Sequence, residues 1–408
     1  MGSSSDALID ALRGKTKIWL LDNDPEYFKD PSLFDEGKSP IMCDFEDNLE
    51  LPTFEAYESG NRSILFKHKG RWCKAKGIGI PTGISRPIYL DGKIFTHQLY
   101  DDPGMCHETI LWGFMQGSEY ECELYGSKKA EELGQNIEII GFSKYENVFY
   151  LSLKDRIELF KKLKMTKKDD LIKRYEKEAV KTNAYSAYYY VPSDIRVGEL
   201  LFTFMFPEVT QLIDPALIVD YVKWLGSHSG GLLKEFHDSG NLHGTWVGPK
   251  YTSLGVLDIH SNSYTGNYIV DDASLTMCDF DLSKPIKDAS MMDIEKWALI
   301  NIENPLHYAG SFNQRDALYQ GIAKKNRFRE ELAGIFENSV KSGYDGESFE
   351  IERKTRKEML QRVTKAKIML WSHYGLPKSL TGQIDYVDYV ISKKTPDADS
   401  LREISSKF

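Results

Sequence analysis

The feature that most limits how this chain can fold is a change of hydrophobic period partway along it. Residues 62–68 and 71–76 form short apolar runs around Lys69-Gly70, and 87–90 and 93–98 flank Asp91-Gly92, the dipeptide of a tight hairpin. A helical pattern is expected at 108–133, stopped by Gly134, with further strands at 137–142 and 148–153. From Val197 onward the apolar spacing is that of helices, at 199–206, 215–237, 293–301, 314–342 and 348–373. Three regions follow: an acidic arm or cap rich in turn formers over residues 1–55, a sheet-rich lobe over 56–195 and a helical lobe over 196–408. Within the second, 154–181 is highly charged with helical apolar spacing, which predicts an exposed amphipathic helical insertion. Strands first and helices after indicate an α+β chain.

The bulk numbers exclude several classes. With 52 Lys and Arg against 61 Asp and Glu the net charge is −9, so neither nucleic acid nor an anionic membrane is an expected partner, although a local basic cleft is compatible. The most apolar stretch, 200–213, is interrupted by Pro207 and Glu208 and reads as a buried helix. The first ten residues lack the basic and apolar regions of a signal peptide. The five cysteines contain no CxxC pair, so a reducing cytoplasm is the expected setting. No HExxH, GxSxG or Walker A spacing occurs.

The strongest local pattern lies at 260–283. A short apolar strand leaves Asn267, Asp271-Asp272 turns the chain, and a second strand delivers Asp279. A hairpin of this kind brings an amide and a carboxylate to one end, the hard oxygen donors that Mg²⁺ prefers. His260, Asn267 and Asp279-Phe280 also stand at the offsets of a protein-kinase catalytic loop and its metal aspartate. The plain alternative is a β-hairpin with polar ends. Five residues before Asn267, where a kinase has its catalytic aspartate, stands Asn262, which cannot accept a proton from a hydroxyl.

Two further segments could meet phosphate. Lys76, at the end of a strand, precedes Gly77 and Gly79, with Ser85-Arg86 shortly after. A lysine can hold phosphates as a point charge, backbone NH groups and Arg86 can frame the anion, and Glu123 is a candidate to orient Lys76 through an ion pair. Arg196 lies in a turn before a helix, positioned either for a terminal phosphate or for a capping contact. The alternative for the first segment is a Gly/Pro-rich surface loop beside a solvated lysine.

Together these segments resemble the selenoprotein O family, kinase-like proteins associated with AMP transfer to protein hydroxyls. The likeness runs over Gly60-Asn-Arg62, Arg71-Trp72, Lys76-Gly77-Ile-Gly79, Pro81-Thr82, Ser85-Arg86, Asp91-Gly92-Lys93, Ser193 to Gly198, His243-Gly244, Asn267 and Asp279. It implies a bilobal protein-kinase-like fold and ATP held with its α-phosphate toward a protein Ser, Thr or Tyr acceptor. Gly60, Arg62, Lys76, Arg86, Asp91, Gly92 and Arg196 would bind the nucleotide, with Lys76, Glu123 and Asp279 catalytic. Mg²⁺ (or Mn²⁺) would sit on Asn267 and Asp279. The chain departs from the family at Tyr189 and Gly266, inserts residues 245–257 and ends without the redox cysteine. A γ-phosphate kinase and a nucleotide-binding pseudokinase acting as an interaction module stand as the alternatives.

Overall fold

The computed structural model describes residues 9–10, 13–23, 27–29, 33–34, 37–45, 50–59, 62–80, 86–90, 92–100, 110–152, 177–204, 206, 209–251, 257–300 and 328–373. Over these the fold is mixed α+β. Its sheet comprises β1 (Lys15–Asp22), β2 (Tyr27–Phe28), β3 (Lys38–Ile41), β4 (Asp44–Phe45), β5 (Thr53–Glu58) and β6 (Ser63–His68). To these it adds β7 (Arg71–Lys76), β8 (Ile88–Leu90), β9 (Lys93–Tyr100), β10 (Ile110–Leu111), β11 (Glu138–Leu151) and β12 (Val180–Val191). The order is β3-β1-β5-β6-β7-β12-β11-β9-β8-β4, with β2 on β11 and β10 on β9. β8 and β9 pair antiparallel with Leu90 opposite Lys93, the register expected for the Asp91-Gly92 turn, and Gly92 has φ 74°.

Several expectations need correction. Residues 1–55 are not an irregular arm, because β1, β3, β4 and part of β5 belong to the main sheet. The strand KTKIWLLD alternates exposed and buried positions at its start, and its pairing with β5 outweighs the acidic turn formers around it. The first helix, α1, is Gly117–Glu132 and not 108–133; Ile110 and Leu111 pair with β9 instead. The two strands expected at 137–142 and 148–153 are one, β11, which carries register shifts against β12 at residues 139–141 and 145–148. Of the charged stretch at 154–181, residues 153–176 lie outside the described residues, while Val180 already belongs to β12.

Helices dominate the remainder: α2 (Val197–Phe204), α3 (Val209–Leu212), α4 (Pro215–Asp238), α5 (Ser290–Ile300), α6 (Phe328–Tyr344) and α7 (Arg353–His373). The single helix expected over 200–213 is thus two, α2 and α3. α4 starts cleanly because Asp214 accepts a hydrogen bond from Ala216 N at 2.9 Å and Pro215 stands in the first turn. Short hairpins β14 (Thr245–Tyr251) with β15 (Leu257–Ser261), and β16 (Tyr268–Val270) with β17 (Leu275–Met277), lie between α4 and α5. β13 (Asn241–Leu242) pairs with β18 (Lys284–Pro285).

The largest core joins one face of the sheet to the helices through Trp72, Tyr189, Phe204, Trp224, Phe280 and Leu360. A second core, with Ile18, Phe66, Tyr188 and Tyr190, lies on the other face. The tyrosine cluster of β12 is therefore a packed strand whose alternate members serve opposite faces.

Candidate functional site

The site forms where the end of β7, α1 and the segment after β17 converge. Lys74 and Lys76 are two apart on β7, so both point to the same face, and both are buried. On α1, Glu119, Tyr120, Glu123, Ser127 and Ala130 recur at helical spacing and form its buried side. That side meets the chain after Asp279 closely: a Cβ on Gly126 would lie 2.5 Å from both Phe280 Cβ and Ser283 Oγ. Only glycine lets the helix come near enough to set Glu123 beside Lys76.

Lys76 Nζ donates to Glu123 Oε2 at 2.7 Å, to Asp279 Oδ1, and to Asp281 Oδ2 at 3.3 Å. Arg62 makes a parallel contact, pairing with Glu119 and donating to Asp281 Oδ2 at 2.7 Å. Asn262 closes the group: its Nδ2 donates to Asp281 Oδ1 and to the carbonyl of Asp279, both at 2.8 Å. Burial alone would lower the Lys76 pKa, but Asp279, Asp281 and Glu123 outweigh it and hold the ammonium charged. Burial likewise favours a neutral Asp279, and Lys76 and Arg62 reverse that, keeping the carboxyl well below the usual range. Burial lifts Glu119 to about 7, against the opposing charge of Arg62.

Asp279 differs from its neighbours in backbone and exposure. Its φ of 66° is left-handed, a strained state for a residue with a side chain. Its carboxylate is 34% exposed, whereas Lys76 and Glu123 are 5% and 1% exposed. The β16–β17 hairpin delivers it as expected, with Cys278 N bonded to Asn267 O at 2.9 Å and Asp271 Oδ1 accepting from Ala273 N and Ser274 N in the turn. His243 anchors the approach, its Nε2 donating to Cys278 O at 2.9 Å. Asn267 is buried and its Nδ2 has no partner among the described residues.

Other expected residues are placed differently. The amides of Gly77 and Gly79 donate to Arg62 O and Gly113 O, so they are spent on the sheet and do not frame an anion. Both glycines have positive φ, and a Cβ at Gly77 would meet the Tyr185 carbonyl at 2.6 Å. Arg196 is a cross-link: it donates to Gly266 O at 3.1 Å, contacts Cys278 Sγ and pairs with Asp194 at 3.3 Å. Arg86 stacks over Trp19 at 5.0 Å and pairs with Asp44 at 3.5 Å, away from Lys76's partners. Gly60, Ser85 and Asp91 lie outside the described residues, while Gly92 is an exposed turn residue.

Sequence reasoning missed Asp281, Glu119 and the role of Asn262. The repeated acid in Cys278-Asp-Phe-Asp281 was the available signal for the first, and the i, i+4 pair of glutamates on α1 for the second. Also unforeseen is a second ionic group, in which Arg13 makes two hydrogen bonds to Glu199, at 2.8 and 2.7 Å, and Lys367 of α7 pairs with the same carboxylate.

Among the described residues no cluster of three or more His, Cys, Asp or Glu forms a metal cage. The donors near Asp279 suit a hard cation that takes one or two protein oxygens and completes its shell from phosphates and water, which is the habit of Mg²⁺. Among the described residues no helix is long and apolar enough to cross a membrane. No protein family, curated protein or solved structure matches this chain.

Proposed function

We propose that this chain is a Mg-dependent nucleotidyltransferase with a bilobal, kinase-like arrangement, moving AMP from ATP to a protein Ser, Thr or Tyr hydroxyl. The observation that carries the reading is the buried Lys76–Glu123 pair, whose ammonium also reaches Asp279, a left-handed and partly exposed carboxylate. Glu123 fixes the direction of Lys76, and Lys76 binds phosphate oxygens as a point charge. Asp279, kept ionised by Lys76 and Arg62, would hold the cation together with Asn267. The cation, when bound, neutralises charge developing on the phosphates. The choice of AMP over phosphate rests on the sequence resemblance to the selenoprotein O family.

One observation favours a second reading. Asn262 is an amide where a base is needed, and its NH₂ is already committed to Asp279 O and Asp281. A non-catalytic nucleotide binder, working as an interaction module, would need no base.

The test is incubation with ATP labelled at the α- or γ-phosphate, with Mg²⁺ or Mn²⁺ and generic protein as acceptor. Label from the α-position, lost in Asp279→Asn, is the expected result; asparagine tolerates the left-handed backbone. Transfer from γ alone would make the chain a kinase. Thermal stabilisation by Mg-ATP without transfer would favour the non-catalytic binder, and neither effect would defeat all three readings.

A further inference from the structure

Outside the Lys76 site, α7 stands out among the described elements for its charge imbalance. Its 21 residues hold seven Arg or Lys and a single Glu, in a chain whose net charge is −9. Its inner face is satisfied: Met359, Leu360, Val363 and Ala366 enter the main core, against α2, α3 and α4. The inward cations have partners too. Arg356 stacks over Trp224 at 4.9 Å and donates to Asp272 O at 3.0 Å, and Lys367 pairs with Glu199.

The outer face differs. Lys354, Lys357, Arg362 and Lys365 are exposed, and none has an ion-pair or hydrogen-bond partner among the described residues. At 100° per residue they fall on one side of the helix, together with Glu358 and Gln361. Lys354 to Lys365 spans about 16 Å. The same side continues into Ile368 and Met369, exposed at 37% and 38%. Other helices match their surface cations internally, as in Lys129–Glu132, Lys234–Asp238 and Lys341–Glu337. Like charges three or four apart weaken a helix, so this stripe carries a folding cost that no partner among the described residues offsets.

We infer that the outer face of α7 is a docking stripe for an acidic protein segment that carries apolar side chains at one end. Carboxylates would lie along Lys354, Lys357, Arg362 and Lys365, and the apolar end would cover Ile368 and Met369. The shape of the charge selects such a partner over a lipid surface or a nucleic-acid duplex. The stripe is one helix wide, and exposed Asp345, Glu347 and Glu352 stand immediately before it. A broad anionic surface would meet those carboxylates, whereas a narrow segment aligned on the helix avoids them. The inference is independent of the reaction assigned to Lys76 and Asp279.

The full chain is titrated into a fluorescent peptide of about 16 residues, long enough to follow the stripe. The peptide has two glutamates in each helical turn and Leu-Phe at one end. Binding that weakens with salt is expected, and a variant combining Lys354→Gln, Lys357→Gln, Arg362→Gln and Lys365→Gln should bind about tenfold more weakly with a melting temperature no lower than that of the wild type. Ile368→Ser with Met369→Ser should lower affinity at every salt concentration without changing the salt slope. Equal binding by wild type and the four-site variant would overturn the proposal. So would absent peptide binding, or tighter binding to phosphatidylserine vesicles or to a short DNA duplex, measured in parallel.

Discussion

Two buried acidic centres lie close together in this fold and are built on opposite principles. Glu295 of α5 is fully buried, and both of its oxygens are occupied: by His237 at 2.9 Å, the amides of His243 and Gly244 at 3.0 and 2.8 Å, and the Thr245 hydroxyl at 2.9 Å. Around Lys76 the accounting stays open. Glu123 Oε1 and Asn267 Nδ2 have no partner among the described residues, Asp279 is strained and partly exposed, and three carboxylates share one ammonium. A closed hub is what architecture needs, since a buried charge left unpaired is costly. An open one, held by a rigid strand and helix, is what a ligand can complete.

That contrast can be broken by mutation. Glu295→Ala should have the largest effect, on the order of 5 kcal/mol of unfolding free energy read from denaturant midpoints, because four donors lose their acceptor in a dry site. If that variant unfolded like the wild type, the distinction between the centres would collapse. Lys76→Met should cost about 3 kcal/mol by stranding Glu123, and adding Glu123→Leu should restore most of it. Nucleotide-dependent thermal stabilisation should stay absent in the double variant; its return would separate Lys76 from ligand binding.

A pH test sharpens the same comparison. Folded Glu119 keeps its proton to about 7, while the unfolded chain releases it near 4.5. The unfolded state therefore loses its proton first, and the stability contributed by this group declines as pH rises across that window, by about 3 kcal/mol. Glu119→Gln should flatten the decline in urea titrations between those limits, and an unchanged slope would refute the assignment. The smallest effect is expected from Gly126→Ala, about 1–2 kcal/mol, as the new methyl pushes α1 off Phe280 and Ser283. Its useful reading is a larger loss of nucleotide-dependent stabilisation than of stability, since the displacement moves Glu123.

How far the sequence disclosed all this depended on distance along the chain. The hairpin delivering Asp279 was legible because strand, turn and strand fall within eleven residues, 268–278. The α+β texture was legible from period alone. Arg62 with Asp281 is separated by 219 residues and Arg13 with Glu199 by 186, and no local pattern encodes such encounters. They follow from sheet order and helix packing. Gly77 and Gly79 misled for a related reason: a glycine-rich loop that cradles phosphate and one that lets two backbones touch look alike until the neighbour is known. The acidic N-terminal region hid its strands because β1 is held by partners 15 or more residues away, Lys38–Ile41 and Thr53–Glu58, and its charged surroundings set the local composition.

The position of β1 between β3 and β5 has a practical consequence for anyone shortening this protein. A version starting after Asp22 would leave β5 with an open hydrogen-bonding edge and uncover the side of Ile18's neighbours Ala56 and Phe66. An unpaired strand above a bared apolar surface is a template for self-association. Trimming that looks harmless at the level of residue numbers would create a surface prone to aggregation.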